Sequence, residues 1–290
     1  MGYAIEASDL RYRYPTAKEF VLKGVDLRVR PGEFLGILGP TGAGKTTLCM
    51  CLNGLIPHYA RGEMTGDLKI MGKDAKAQTI AELSRHVGIV FQDPDSQLIT
   101  SSVEDEIAFG LINRGLGEEE VDRIVDECLR DLGISHLRGR IPQTCSGGEK
   151  QKIAIAATIA GQPDIIVFDE ATSDLDPISV REVFNLAAKF HLSGKTVIFV
   201  THEVELLAEY ATRIAILADG KIELEGDPRS IFSKRERFEE FGLRLPQVVQ
   251  LALRIKGRGL TFDGLPLTVQ EARDLLIKLG FDGDGLRDRS

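Results

Sequence analysis

Gly39-Pro40-Thr41-Gly42-Ala43-Gly44-Lys45-Thr46 lies between an apolar run, Phe34-Leu35-Gly36-Ile37-Leu38, and a stretch that reads as a helix. A glycine-rich turn that leaves a buried strand and opens a helix exposes successive backbone N–H groups to a phosphate chain. Gly42 and Gly44 allow the tight path. Lys45 supplies a point charge to β- and γ-phosphates, and the Thr46 hydroxyl suits Mg2+. Strand before and helix after is the context such a loop needs, so the stretch constrains the fold as well as the ligand.

Three further short apolar runs read as buried strands: Val87–Phe91, Ile165–Phe168 and Thr196–Val200. Runs without polar alternation are buried on both faces, the habit of parallel sheets covered by helices. Between them Val180, Val183, Phe184 and Ala187 fall at helical spacing, with Gly194 as a stop. This is α/β alternation. From about Asp93 to Ala160 the pattern is helical instead. Ser101-Ser102-Val103-Glu104 is a capping-box pattern. Val121, Ile124, Val125, Cys128, Leu129 and Leu132 trace one helical face closed by Gly133. The spacing predicts a helical subdomain, about 93–160, inserted into the α/β core. Ile214–Leu217, Asp219-Gly220 and Lys221–Leu224 form a hairpin signal. The character shifts after about Arg235. Residues 236–290 read as a small C-terminal extension, with Thr268-Val269-Gln270-Glu271 capping a last helix and a loose polar end from Asp282 to Ser290.

The 290 residues suffice for one large domain, or one domain plus an appendage. The formal net charge of −8 argues against non-specific nucleic-acid binding, which runs on clustered Lys and Arg. No apolar run approaches the ~18 to 20 residues that span a bilayer, and Met1–Arg13 lacks a signal-peptide core. The expectation is a cytosolic chain that meets a membrane only through a partner. Cys49, Cys51, Cys128 and Cys145 have no metal-ligand spacing and read as buried reduced thiols.

Asp169-Glu170 ends the third apolar run. There Asp169 suits Mg2+ through its water shell, and Glu170 suits a general base that polarises an attacking water. Gln92 follows the second run, where a neutral amide can reach Mg2+ or the lytic water. His202 follows the fourth and can hydrogen-bond a γ-phosphate. Each has an ordinary structural explanation when taken alone. Cys145-Ser146-Gly147-Gly148-Glu149 precedes a helical run. It presents bare N–H groups and a positive dipole end of roughly half a charge. A single subunit already holds its nucleotide at residues 39–46. A second anion site makes sense if it caps the γ-phosphate bound by another subunit.

Together these motifs and their order resemble the nucleotide-binding subunit of an ABC ATPase, from about residue 4 to 235. Gly39–Thr46 is similar to the Walker A loop, Gln92 to the Q-loop, Cys145–Glu149 to the signature and Ile165–Glu170 to Walker B. Ser173-Asp174-Leu175-Asp176 is similar to the D-loop and His202 to the switch histidine. The resemblance implies a P-loop NTPase fold that carries an inserted helical subdomain. It implies ATP contacts from Tyr14, which would stack on adenine, and from Gly39, Pro40, Thr41, Gly42, Ala43, Gly44, Lys45, Thr46 and Thr47. Ser146, Gly147, Gly148 and Glu149 would serve a second subunit's ATP. Glu170, His202 and Gln92 would be catalytic, with Mg2+ at Thr46, Gln92 and Asp169. Two departures stand out. Cys145 and Glu149 replace the Leu and Gln of the usual Leu-Ser-Gly-Gly-Gln, and Asp174 stands where a small residue is more usual.

Phe91-Gln92-Asp93-Pro94-Asp95-Ser96-Gln97 is similar to the corresponding run of energy-coupling factor transporters. So are the stretch from Val103 to Asn113, the stretch from Asp169 to Pro177, and the tail with Gly242-Leu243 and Pro246. This resemblance implies an ATPase that powers import of a vitamin or transition-metal ion from the cytoplasmic face of the cell membrane. Its partners would be a second ATPase subunit, identical or related, a membrane-embedded coupling protein and a substrate-capture protein, with no nucleic acid. In this group the C-terminal extension helps hold two ATPases together. A rival expectation is a soluble ABC ATPase of DNA repair, ribosomes or cluster assembly. The tandem halves, coiled-coil insertions and zinc motifs frequent there are not visible here.

Overall fold

The computed structural model describes residues 2–281. The sequence expectation for Asp282–Ser290 falls outside them. In chain order, β1 (Ile5–Arg13) and β2 (Leu22–Val29) precede β3 (Phe34–Leu38) and α1 (Lys45–Leu52). Then come α2 (Leu55–His58), β4 (Glu63–Ile70), β5 (Lys73–Asp74), α3 (Ile80–Leu83) and β6 (Val87–Val90). Three helices follow, α4 (Val103–Asn113), α5 (Glu118–Asp131) and α6 (Gly147–Ala160). The core resumes with β7 (Ile165–Asp169), α7 (Pro177–Leu192), β8 (Thr196–Val200), α8 (Val204–Tyr210), β9 (Arg213–Ala218) and β10 (Lys221–Gly226). The chain closes through α9 (Pro228–Phe232), α10 (Arg235–Glu240), α11 (Gln247–Gly257) and α12 (Val269–Lys278).

The central sheet has six strands in the order β10-β9-β3-β8-β7-β6. β9, β3, β8, β7 and β6 run parallel, and β10 returns antiparallel along β9 as the hairpin signal predicts. Every residue of β3, β7 and β8 is buried. Alternate residues feed opposite cores, as the period of two requires. Phe34, Ile166, Phe168, Val197 and Phe199 point into one core with α4 to α8, where Phe168 and Phe184 stack on Phe199 with centroids 4.8 and 4.1 Å away. Leu35, Ile37, Ile165, Val167, Ile198 and Val200 point into the other with α1. Gly36 has to be bare, because a Cβ there would lie 2.8 Å from Leu207 Cδ2 on α8.

A second, antiparallel sheet of order β2-β1-β4-β5 closes the core on the α1 side. Sequence reading does not find it. β4 buries only Leu68 and Ile70 and reads as polar, and β1 alternates around an irregular register near Asp9. The one clear signal is the alternation Val25, Leu27, Val29 in β2, all buried.

α4 also departs from expectation. Its cap is Ser102, whose hydroxyl accepts from Asp105 N–H at 3.1 Å. Glu104 points instead to Arg138, 2.6 Å away. The cap therefore lies one residue beyond the Ser101–Glu104 pattern, and this puts Val103, Ile107 and Leu111 inward. The predicted face of α5 is buried throughout, and all four cysteines are free and buried.

Among the described residues, the helices after 235 pack on the main core. Phe238 is fully buried 5.5 Å from Phe232, and Leu245, Val249 and Ala252 join the same cluster. Thr268 caps α12, and Glu271 reaches back to Arg229 on α9 at 2.7 Å.

Candidate nucleotide site

The glycine loop emerges where β3 ends, between β8 and β9. Gly39 turns so tightly against β9 that a Cβ would lie 2.1 Å from Leu217 O. Gly44 is the N-cap of α1 with φ 102°, a left-handed conformation that costs only glycine little. Lys45 is 5% exposed. Its Nζ donates to Gly39 O at 3.1 Å and Pro40 O at 3.2 Å, and sits 3.2 Å from Glu170 Oε1. Thr46 Oγ1 donates to Asp169 Oδ1 at 3.3 Å.

Asp169 and Glu170 are placed by β7. Asp169 is 3% exposed, and burial raises its carboxyl to about 6 despite the Thr46 hydrogen bond. The buried Cys49 thiol lies beneath it. Its own ionisation is pushed well up, first by burial and then by the Asp169 charge. Glu170 leaves the strand with φ 51°. That conformation is uncommon for a side chain larger than glycine and concentrates at functional sites. Three bonds hold it. Glu170 N–H donates to Val200 O at 2.9 Å, and its carbonyl accepts from Ser173 N–H at 3.1 Å and Ser173 Oγ at 3.0 Å. Its carboxylate lies between Lys45 Nζ and His202 Nε2, the latter 3.3 Å away. Lys45, Thr46, Asp169, Glu170 and His202 are thus brought together from three segments of chain.

The other expected residues lie elsewhere. Gln92 is exposed, just past the end of β6. Tyr14 is partly buried beside the loop. Its hydroxyl is 3.2 Å from Thr47 Oγ1, and its ring meets Tyr12 edge-on at 4.8 Å. An open cavity of about 450 Å3 flanks Gly42 and is lined by Phe20, Val21 and Lys23. Phe20 is an aromatic that sequence reading passes over, because only the β1–β2 connection brings it to the loop.

Ser146 caps α6. Its Oγ accepts from Glu149 N–H at 3.4 Å, while Glu149 Oε2 accepts from Ser146 N–H at 2.8 Å. Gly148 lies against the start of α7, where a Cβ would be 2.8 Å from Ser179 Oγ. Asp176 caps α7 through Ile178 N–H and Ser179 N–H. α6 packs on α4, α5 and β6, whereas α1 packs on α2 and β7. Among the described residues, the side-chain hydrogen bonds of Ser146 and Glu149 run to each other and none reaches the 39–47 loop. Lys150 is a further residue that sequence reading misses. Its Nζ binds both oxygens of Asp95, at 2.7 and 3.0 Å, and ties α6 to the segment after Gln92.

The oxygen donors suit a hard cation. Magnesium is held by one or two carboxylates plus substrate phosphates, and a buried carboxylate beside a hydroxyl offers that. No group of three or more His, Cys, Asp or Glu side chains among the described residues could hold a metal alone.

A strand–glycine loop–helix with an acidic strand end beside it defines a P-loop nucleotide-binding protein. The ABC transporter family matches residues 22–173. The energy-coupling factor transporter ATP-binding protein EcfA of Methanocaldococcus jannaschii is 39% identical over 251 residues, 86% of this chain and 88% of that one. Among solved structures, cbiO1 of Clostridium perfringens, described as part of the ABC transporter complex cbiONQ, superposes with a TM-score of 0.72. It is 32% identical and covers 87% of this chain and all of its own. The cassette MJ0796, solved as a dimer in a post-hydrolysis state with ADP and Pi, has a TM-score of 0.68 at 28% identity, over 78% of this chain and 99% of its own. The chain belongs to the ABC transporter ATP-binding family, and it is an ATP-binding ATPase of a transporter.

Proposed function

We propose that this chain is the ATPase of an energy-coupling-factor-type importer for a micronutrient, a vitamin or a transition-metal ion. It would work at the cytoplasmic face of the membrane. What supports the importer reading most is the likeness to EcfA, which covers 251 residues and so runs well past the family match. The likeness to cbiO1 points the same way. Among the described residues no helix is long and apolar enough to cross a membrane, so a membrane-embedded coupling protein and a substrate-capture protein are the expected partners. A groove of about 450 Å3 between α4 and α5 would receive the coupling protein. Ala108, Ile112, Leu116 and Val121 line it, and Glu104, Asp105, Glu118 and Asp122 rim it.

Two chains would sandwich two ATP molecules. The separate packing of α1 and α6 favours this, since Ser146, Gly147 and Gly148 then serve the partner's γ-phosphate. Gly39 to Thr47 would cradle the phosphates through backbone N–H groups, with Tyr14 on the adenine side. Glu170 would accept the proton of the attacking water, with Lys45 moving from its carboxylate to the γ-phosphate. His202, 3.3 Å from Glu170, would hold the γ-phosphate against the base. Thr46, Asp169 and Gln92 would hold Mg2+, which would neutralise charge developing on the phosphates. Closure would push on the membrane partner through the α4–α5 groove and the segment after Gln92, and hydrolysis would reset it.

The test is co-purification from native membranes in mild detergent. A polytopic membrane protein that follows the tagged chain, lost when Ile112 and Ala108 become Asp, supports the importer. Recovery in the soluble fraction with nucleic acid or ribosomes would sink it in favour of the soluble ATPase.

A further inference from the structure

Glu149 is the signature residue whose chemistry departs furthest from the usual glutamine, and it stands in the first turn of α6. Its Oε2 accepts from Ser146 N–H at 2.8 Å, and this capping bond fixes where the charge lies. The bonds from Ser146 hold its carboxyl below the usual range. Arg140 and His136 push the same way, and His136 Nε2 is 3.7 Å from Oε1. Lys150, the next residue, is turned away onto Asp95 and does not neutralise it.

The positive end of a helix attracts anions, and a carboxylate in the first turn already answers that field. A polyphosphate brought to the same end then meets a like charge in a site that closure dries, where screening is weak. A glutamine here would accept the same Ser146 N–H bond through its amide oxygen and carry no charge. Capping geometry and charge are therefore separable at this one position. A Cβ on Gly147 would meet nothing within 4 Å, so that side of the helix start is open.

We propose that Glu149 weakens the closed ATP-bound pair by repelling the partner's γ-phosphate, so that two copies close only at raised ATP and reopen readily. The inference rests on the reading that Ser146–Gly148 face the nucleotide of a second copy. Glu149 acts here as a specificity-setting charge, while its backbone and capping bond keep α6 in place.

The experiment follows dimer formation by analytical ultracentrifugation against Mg–ATP, with Glu170→Gln in every sample to stop hydrolysis. Adding Glu149→Gln should lower the ATP concentration at half-dimer about three- to tenfold at low salt. The gap should narrow in 0.5 M KCl through screening. Glu149→Gln keeps the capping bond and gives up only the charge at the helix end, so its melting temperature should fall by no more than about 3 °C. Glu149→Ala, which loses both bond and charge, separates the two effects, because a purely structural role predicts that Gln matches Glu and only Ala differs. Coincident half-points for the parent and the Glu149→Gln variant at low salt, with ATP still driving dimers, would overturn the charge role and leave the sandwich intact. If ATP drives no dimer in any variant, the sandwich reading fails and takes this inference with it.

Discussion

Glu170 carries the most local detail. A positive φ and three hydrogen bonds fix its backbone, and Lys45 Nζ and His202 Nε2 flank its carboxylate. If it is the general base, Glu170→Gln should cut steady-state ATP turnover by about 10²- to 10⁴-fold, with nucleotide affinity, read by fluorescent-ATP titration, largely kept. Full turnover would remove it from that role. Asp169 makes a pH-dependent statement. Its carboxyl rises from 3.8 to about 6 through burial. The folded state therefore holds a proton that the unfolded state releases between those values, and stability is lost as pH rises through about 6. Above pH 7 the charged Asp169 costs on the order of 2–3 kcal/mol, at roughly 1.4 kcal/mol per unit. Asp169→Asn should melt higher than the wild type at pH 7.5 without nucleotide, and that gain should shrink steadily toward pH 4. A constant gain across the range would refute the cause given.

At the scale of elements, helix starts do most of the positioning. Gly44 opens α1 at the loop, Ser146 opens α6 at the signature and Asp176 opens α7 beside it. Gly148 and Ser179 show how closely the last two starts fit. An alanine at 148 gains helix propensity of about 1 kcal/mol over glycine, but its Cβ would press on Ser179 Oγ at 2.8 Å, and Asp176 Oδ2 holds that hydroxyl at 2.6 Å. Gly148→Ala alone should therefore lower stability by about 1–2 kcal/mol, as overpacking does. In a Ser179→Ala background the same change should be neutral or stabilising. Urea denaturation of the four proteins gives the coupling directly. Additive effects would mean that the two helix starts do not meet as described.

For the whole molecule, two cores on either face of one sheet put the glycine loop, Asp169, Glu170 and His202 at the carboxyl ends of the neighbouring strands β3, β7 and β8. The C-terminal helices belong to the larger of these cores. Ending the chain at Lys234 would remove Phe238, Leu245, Val249 and Ala252 and bare Phe232. With about 1.5–3 kcal/mol for each large buried side chain, the truncated protein should lose at least about 3 kcal/mol and several degrees of melting temperature in calorimetry. An unchanged melting temperature would show the extension to be independent. A cleaner probe of self-association is the outer face of α12, where Val269 is 79% and Ile277 50% exposed. Replacing both by serine should weaken any dimer formed without ATP and leave the melt unchanged.

The sequence alone determined the parallel core strands, the helical stretch between Gln92 and Ile165, the β9–β10 hairpin and the family. Those features rest on local causes: unbroken apolar runs, helical periodicity, turn chemistry and glycines in a set order. Strand alternation was too weak to reveal the antiparallel sheet, because β4 buries only two of its eight residues and takes its strand character from pairing with β1. Tertiary structure also decided which expected residues meet. Thr46 reaches Asp169 across 123 positions, and Lys45 likewise reaches Glu170, because β3 and β7 both flank β8. The same packing held Ser146–Glu149 on a different helix from the loop and joined Lys150 to Asp95. Contacts of this kind depend on where separate segments are brought by burial, and no local pattern encodes them.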